Sequence, residues 1–188
     1  MPPTPFPSLE APRLRLRAFA PTDVSTIVTL ANDYEVAKNT LNIPHPYHEE
    51  DARQWVQHTR ESFQQQAAYT FALELRATGE FIGGIGLNLE PRFDRAEAGY
   101  WLGRPYWGRG LATEALGALL RFGFAELGLN KIYATHFAEN LASGRVMLKN
   151  GMVKEGELAQ HTKRDGRYHD LWQYRLLRAE YVGRASAR

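Results

Sequence analysis

The feature that most constrains the fold is a strand, a glycine-rich loop, a long apolar helix and a second strand in direct succession. Residues Glu97 to Leu102 read as a strand, and Leu111 to Leu127 is apolar on most sides of a helix. Lys131 to Phe137 follows as a second strand. A strand that reaches its neighbour through a helical crossover runs parallel to it, and the crossover is right-handed. This β-α-β unit predicts one parallel pair in the sheet and a buried helix beside it.

The other strand-like segments are joined by short turns, which is typical of antiparallel sheet. Gly79 permits a tight turn between two of them. These strands are predicted over Arg13–Phe19, Tyr69–Arg76, Glu80–Leu89, Val153–Leu158 and Tyr168–Leu177. Further helices are predicted from Pro21, from Glu49 and over Leu141–Lys149. We therefore expect an α/β fold of the mixed α+β kind, with about six to seven mostly antiparallel strands and about four helices.

The length of 188 residues and the 44% apolar content are those of one globular domain. We expect a flexible lead over residues 1–8, a single domain over 9–182 and a disordered tail over 183–188. The opening residues do not resemble a signal peptide, and no stretch reaches the ~18 apolar residues of a membrane span. The sequence therefore predicts a cytoplasmic protein without membrane contact.

Composition excludes several classes of function. The 23 Lys and Arg residues nearly balance the 21 Asp and Glu residues, so a general nucleic-acid-binding surface is not expected. There is no cysteine, and thus no disulfide, thiolate metal site or cysteine nucleophile. His45, His48 and His58 lack regular ligand spacing with any carboxylate, so no metal is expected.

The loop "RPYWGRGLATE", residues 104–114, resembles several phosphate-binding loops. A nucleotide P-loop would need Lys and Ser/Thr where Arg109 and Gly110 stand, and a dinucleotide fingerprint would need glycine at Thr113. Both of these are excluded. A helix N-terminus still offers free N–H groups and partial positive charge to a diphosphate, and Arg104 adds fixed charge. A plain tight turn, in which the glycines only relieve strain, is about equally compatible with the loop.

Two separated motifs carry a resemblance to a known family. "EAGYWLGRPYWGRGLATEAL" followed by "AENLASGRVMLKNGM" resembles the GNAT N-acetyltransferase superfamily, in particular its RimJ/RimL-like branch, and "GRYHDLWQYRLL" extends the similarity. It covers roughly Leu9 to Tyr181. The superfamily's Q/R-x-x-G-x-G/A motif falls on Trp107 to Ala112, with Trp107 in place of Gln or Arg. The resemblance implies acetyl-coenzyme A as co-substrate and a parallel strand pair that splays apart around it.

The resemblance also implies which residues bind acetyl-CoA. Backbone N–H groups around Arg109 to Thr113 would hold the pyrophosphate, and strand residues 100–102 would bind the pantetheine arm. Asn140 would bind that arm too, and it also reads as a plain helix N-cap. The expected set is Tyr100, Trp101, Leu102, Arg104, Trp107, Gly108, Arg109, Gly110, Leu111, Ala112, Thr113, Asn140 and Ser143.

Three residues are candidates for the chemistry. Glu97 matches the family's general base, and it could equally pair with Arg95 or Arg92. Ser143 matches the group that protonates the CoA thiolate; many relatives use a tyrosine there, but none lies between positions 133 and 168. Asp170 could orient the acceptor amine, hold His169 or serve as a hydrogen-bond partner at the sheet edge.

The implied reaction is direct attack of a primary amine on acetyl-CoA in a ternary complex. The branch suggests a protein or peptide α-amine as acceptor, with the loop at residues 42–48 shaping its site. A small-molecule or aminoglycoside-type acceptor, and a non-catalytic CoA-binding module, are the alternatives. A homodimer is a further expectation from the family.

Overall fold

The computed structural model describes residues 5–185, which form one mixed sheet with helices on both faces. The spatial order of the eight strands is β1-β2-β3-β4-β5-β6-β8-β7. The strands are β1 (Leu9–Glu10), β2 (Leu14–Arg17), β3 (Ala68–Leu75), β4 (Phe81–Glu90), β5 (Arg95–Leu102), β6 (Lys131–Phe137), β7 (Val153–Arg164) and β8 (Arg167–Leu177). Within residues 5–185, the β5–β6 pair is the only parallel one. The mixed, mostly antiparallel fold is therefore confirmed, and the strand beyond the expected six to seven is the two-residue β1, too short to show alternation.

The four predicted helices are present, together with two that the sequence did not indicate. The helices are α1 (Val24–Ala31), α2 (Tyr34–Ala37), α3 (Glu49–Gln64), α4 (Leu111–Arg121), α5 (Leu141–Lys149) and α6 (Arg178–Ala185). Helix α4 continues as a π-helical turn over Phe122–Glu126, closed by a bond from Leu127 N–H to the Phe122 carbonyl oxygen at 3.1 Å. Asn150 ends α5, and Gly151 then takes a φ of +80°, as its sequence predicts.

Two apolar cores lie on opposite faces of the sheet. Leu111, Leu116 and Leu119 of α4 are buried against one face, where Met147 of α5 joins them. The other face is covered by α1 and α3, whose buried residues pack around Phe81. This three-layer arrangement leaves the loop after β5 at the edge between the layers, where the first turn of α4 begins.

The ends of the chain differ in part from the sequence-based expectation. Phe6 belongs to the lead that was expected to be flexible, yet its ring packs edge-on against Phe63 and Phe71 at 4.8 and 5.0 Å. An aromatic side chain is held by the core it buries against. Residues 183–185, expected in a tail, belong to α6. Residues 1–4 and 186–188 lie outside the described residues. No helix of the described chain is long and apolar enough to cross a bilayer.

Candidate active site

The centre of the sheet is split between its two parallel strands. Arg95 to Glu97 of β5 pair with Lys131 to Tyr133 of β6, and the pairing then stops. Beyond that point β5 continues to pair with β4, and β6 continues to pair with β8. The facing edges of residues 98–102 and 134–137 are left apart, with backbone groups that need partners. We call this opening the β5–β6 gap.

The direction of the backbone groups decides which residues of β5 face the gap. Successive residues of a strand direct their N–H and C=O groups to opposite edges. Gly103 donates its N–H to Ile82 of β4 at 2.9 Å, so the groups of Trp101 also point to β4, and those of Tyr100 point into the gap. Of the predicted pantetheine-binding residues 100–102, Trp101 is therefore directed away from the gap.

Trp107 has a structural purpose that its sequence position does not reveal. Its Nε1–H donates to the carbonyl oxygen of Leu102 at 2.8 Å, which fastens the glycine loop to the end of β5. This bond occupies the Leu102 carbonyl, so the N–H is the group that Leu102 can still offer on the gap side. The indole N–H is therefore used for a contact inside the protein.

The loop before α4 has the geometry of an anion site. Gly108 and Gly110 take φ values of +72° and +76°, which glycine adopts without strain. The first hydrogen bond of the helix runs from Glu114 N–H to the Gly110 carbonyl oxygen at 3.1 Å. The N–H groups of residues 111–113 precede that bond and have no intrahelical acceptor. They point outward at the positive end of the helix dipole, beside the gap.

An arginine from the far edge of the sheet fixes this loop, and the sequence did not identify it. Arg13 binds the Glu114 carboxylate twice, through its backbone N–H at 2.5 Å and through Nε at 2.8 Å. Its Nη1 also donates to the carbonyl oxygen of Arg109 at 3.1 Å. These contacts join residues about a hundred positions apart, so no local pattern predicts them. They turn the Arg109 carbonyl inward and leave the outer side of the loop to N–H groups.

The two loop arginines remain exposed. Arg104 lies 3.9 Å from Asp33, the N-cap of α2, and Arg109 extends over the Tyr106 ring at 5.9 Å. Exposed guanidinium groups contribute attraction that salt screens. Their charge supports an anionic ligand, while the backbone supplies the fixed donors.

Ser143 and Asn140 lie where α5 begins beside the gap. The Asn140 side-chain oxygen accepts from Ser143 N–H at 3.3 Å, so its N-cap role is confirmed. The Tyr100 hydroxyl donates to the Ser143 carbonyl oxygen at 3.0 Å and lies 2.8 Å from Ser143 Oγ. Burial raises the pKa of Tyr100 well above its usual range, so the phenol stays protonated. Tyr100 of β5 thus places a tyrosine hydroxyl beside Ser143, although no tyrosine lies between positions 133 and 168 of the sequence.

Glu97 lies on the opposite face of the sheet from this pair. Side chains alternate between faces along a strand, and Ala96 and Ala98 are buried beneath α4 whereas Trp101 packs beneath α1 and α3. Glu97 therefore shares the α1/α3 face with Trp101, and Tyr100 reaches the α5 face. The β5–β6 gap connects these two faces of the sheet.

The Glu97 carboxylate accepts a hydrogen bond from Thr135 Oγ1 across the gap at 3.0 Å. The ion pair with Arg95 that the sequence allowed does not form, because Arg95 binds Glu90 at 2.7 Å. Glu90 also accepts from the Tyr133 hydroxyl, and these two bonds lower its pKa. Among the described ion pairs none involves Glu97, so its carboxylate is left for another partner.

Asp170 has a structural role in the sheet. Its Oδ1 accepts from Gln160 N–H at 2.7 Å, where the register of β7 and β8 shifts between Leu158 and Thr162. Gln160 has a positive φ of 48° there. The carboxylate therefore satisfies a backbone donor that the bulge leaves free. His169 packs against the Phe137 ring at 5.0 Å. The hydrogen-bonding role considered for Asp170 is the one that the structure contains.

A cavity of about 550 Å³ opens between the loop after α2 and the tip of the β7–β8 hairpin. Tyr34 and residues 41–45 form one side, and Arg164 and Asp165 form the other. The Tyr34 and His45 rings meet edge-on at 5.3 Å. Leu30 contacts the position of Gly103, and Asp33 approaches Arg104, so α1 and α2 lie at the end of β5 where the gap opens. No cluster of three or more metal-ligating side chains occurs in the described part of the chain.

A free helix N-terminus beside a split parallel strand pair is the arrangement that the sequence resemblance implies for an acetyl-CoA-dependent transferase. The chain belongs to the GNAT acetyltransferase family, because residues 13–153 match the family profile described as an acetyltransferase (GNAT) domain. It is an acetyl-CoA-dependent N-acetyltransferase, and the RimJ/RimL-like resemblance is confirmed.

Three known proteins illustrate the range of relatives. The uncharacterized N-acetyltransferase p20 of Bacillus licheniformis is 34% identical over 177 residues, which are 94% of this chain and 99% of that protein. The ribosomal-protein-serine acetyltransferase of Escherichia coli is 34% identical over 128 residues, 67% of this chain and 70% of that protein. The structure of spermidine N-acetyltransferase from Vibrio cholerae with CoA and spermine has a TM-score of 0.77 at 24% identity, covering 90% and 98% of the two chains. This last similarity is one of fold.

Proposed function

We propose that the protein acetylates the α-amine of a peptide or protein N-terminus. The observation that carries this proposal is the charge of the cavity between the loop after α2 and the tip of the β7–β8 hairpin. Among its lining residues, Asp165 is the one carboxylate, and it lies 3.4 Å from Nε of Arg164. A polyamine carries several positive charges and needs several carboxylates, whereas a peptide presents one amine followed by a neutral backbone. The curated relative that acts on ribosomal-protein serine supports the same acceptor class.

The glycine loop fits the diphosphate of acetyl-CoA. The outward N–H groups of residues 111–113 supply donors at the positive end of α4, and Gly108 and Gly110 leave room for oxygen atoms to approach the backbone. Arg104 and Arg109 add positive charge. Tyr100 offers its backbone groups to the pantetheine arm in the gap. Acetyl-CoA supplies the activated acetyl thioester, and every other step rests on the protein's own side chains.

Glu97 is the group that we assign as general base. At pH 7 an α-amine with a pKa near 8 costs about 1.4 kcal/mol to deprotonate, and a lysine amine near 10.4 costs about 4.6 kcal/mol. A single carboxylate acting directly or through one water is sufficient for the smaller cost. Glu97 lies on the α1/α3 face, and Tyr34 of α2 lines the proposed acceptor cavity. Because the chain has no cysteine, direct attack of the amine is simpler than an acyl-cysteine intermediate.

Ser143 is the group that we assign to the departing thiolate. A hydroxyl carries one hydrogen, so its use by one acceptor excludes another. When the Tyr100 hydroxyl donates to Ser143 Oγ, the serine hydrogen is free to turn toward the gap. When Tyr100 donates to the Ser143 carbonyl oxygen, the serine hydrogen can return to Tyr100 instead. Tyr100 thus controls whether Ser143 can donate to sulfur.

The proposal is tested by monitoring free thiol release from acetyl-CoA in the presence of different amines. We expect turnover with a short peptide that begins with serine and is amidated at its C-terminus. The same peptide with an acetylated N-terminus is the matched control and should not react. Faster turnover with spermidine or an aminoglycoside than with the peptide would refute the acceptor assignment. CoA binding without turnover on any amine would favour a non-catalytic CoA-binding module. The homodimer stays a prediction.

A further inference from the structure

One arginine fastens the loop after α2 to the tip of the β7–β8 hairpin. Nη1 of Arg164 donates to the carbonyl oxygen of Ala37, and Nη2 donates to the carbonyl oxygen of Ile43 at 2.9 Å. The Arg164 side chain is only 10% exposed, although its neighbour Asp165 is 79% exposed. Hydrogen bonds from an ionised donor are stronger than neutral ones, and without these two the guanidinium would keep only its long Nε contact with Asp165.

The fastened segment, residues 38–48, is the acceptor loop. At its first end Thr40 binds the Ala37 carbonyl oxygen, and near its other end the Tyr47 N–H donates to the Asn32 side chain at 2.9 Å. Tyr47 is buried in the core beneath α1 and α3. Between these anchors the side chains at positions 41, 42 and 44–46 are exposed, and the bond from Arg164 to Ile43 ties this middle part to the hairpin.

The acceptor loop and the hairpin form the two sides of the cavity of about 550 Å³. Arg164 lines this cavity and its hydrogen bonds also join the two sides. The hairpin extends past the end of β6, where Ala138 N–H donates to the Asp170 carbonyl oxygen at 2.9 Å. Arg164 lies outside residues 13–153, the part that the family profile matches.

We infer that Arg164 is a positioning residue for the amine acceptor. It holds the acceptor loop against the β7–β8 hairpin and thereby keeps the acceptor cavity in one shape. The inference rests on the proposed function, because it assigns this cavity to the acceptor. Ordering a mobile loop on binding costs free energy and so lowers affinity. Loss of the Arg164 bonds should therefore weaken binding of the acceptor, which contacts this loop, more than binding of acetyl-CoA.

The experiment compares the variants Arg164→Ala and Arg164→Lys with the wild type. Arg167→Ala, at the other end of the same hairpin tip, is the matched control. Initial rates are measured against the amidated serine peptide and against acetyl-CoA, and amide hydrogen exchange of residues 38–48 is followed in the free enzyme. For Arg164→Ala we expect a peptide KM raised about tenfold or more, an acetyl-CoA KM within about twofold, and faster exchange in the acceptor loop.

Arg164→Lys should lie between the wild type and Arg164→Ala, because a lysine lacks the planar fork that reaches two carbonyl groups. Arg167→Ala should match the wild type in both KM values. An unchanged peptide KM in Arg164→Ala overturns the inference, whether or not exchange becomes faster. Equal increases in the KM for the peptide and the KM for acetyl-CoA overturn it as well, since they indicate a general disturbance of the structure. A wild-type enzyme that acetylates none of the amines would refute the proposed function itself.

Discussion

Replacing Tyr100 by phenylalanine tests the coupling between β5 and α5 most directly. The hydroxyl contacts the Ser143 carbonyl oxygen at 3.0 Å and Ser143 Oγ at 2.8 Å. Each such bond contributes about 0.5–1.5 kcal/mol net, so the loss of both should lower the free energy of unfolding by about 1–3 kcal/mol. A domain of this size loses roughly 2–4 °C in Tm for each kcal/mol. Thermal unfolding by circular dichroism should therefore show a decrease of about 2–12 °C.

The effect on catalysis should pass through Ser143. We expect kcat of Tyr100→Phe to fall about tenfold, equivalent to about 1.4 kcal/mol, with the KM for the peptide little changed. The same fall is expected for Ser143→Ala. Combining the two should cost no more than either alone, because both remove one hydroxyl pair. Tyr69 of β3 packs its ring against Phe122, and Tyr69→Phe keeps that ring contact. This variant is the control and should change stability by less than about 0.5 kcal/mol. Losses in kcat that multiply in the double variant would refute the coupling.

Three further predictions concern other parts of the site. Glu97→Gln should lower kcat at pH 7 by about tenfold, since deprotonating the α-amine there costs about 1.4 kcal/mol, and the deficit should shrink above pH 8, where the α-amine deprotonates unaided. A constant deficit across a pH–rate profile would contradict a base role. Arg13→Ala should weaken CoA binding about tenfold by calorimetry, because the side-chain bonds to Glu114 and Arg109 are lost, whereas Arg15→Ala on β2 should not. Burial lowers the pKa of His136, so below about pH 6.5 the unfolded chain binds more protons than the folded one. The free energy of unfolding, measured with urea, should therefore fall as the pH falls through that value. The fall should be less steep in His136→Asn.

The elements that could be predicted from the sequence are those with a local burial pattern. The strand at residues 131–137 and the helix at residues 141–149 were predicted at the observed boundaries, because their apolar periodicity reports which face is buried. Periodicity describes faces and not edges. It could not tell that Tyr100, rather than Trp101, directs its backbone into the gap, since that depends on the register between β4 and β5.

Contacts between distant segments were also beyond prediction. Tyr100 and Ser143 are 43 positions apart, and Arg164 reaches carbonyl groups more than 120 positions away. The helix dipole and the glycines indicated where an anion could bind, but the side chains that orient the loop come from another strand. The purpose of Trp107 likewise required knowing where β5 ends. Such roles follow from how the elements pack, and a single sequence carries no local trace of them.

The opening in the middle of the sheet separates two tasks in space. In the proposed function, the glycine loop and α5 bind the coenzyme on one face, while Glu97 and the acceptor loop act on the amine from the other. A change on one side does not require a compensating change on the other. An enzyme with this fold can therefore change its amine acceptor while its coenzyme-binding groups stay the same. The Escherichia coli relative is named for ribosomal-protein serine and the Vibrio cholerae protein of the same fold for spermidine, so one fold is used with unlike amines.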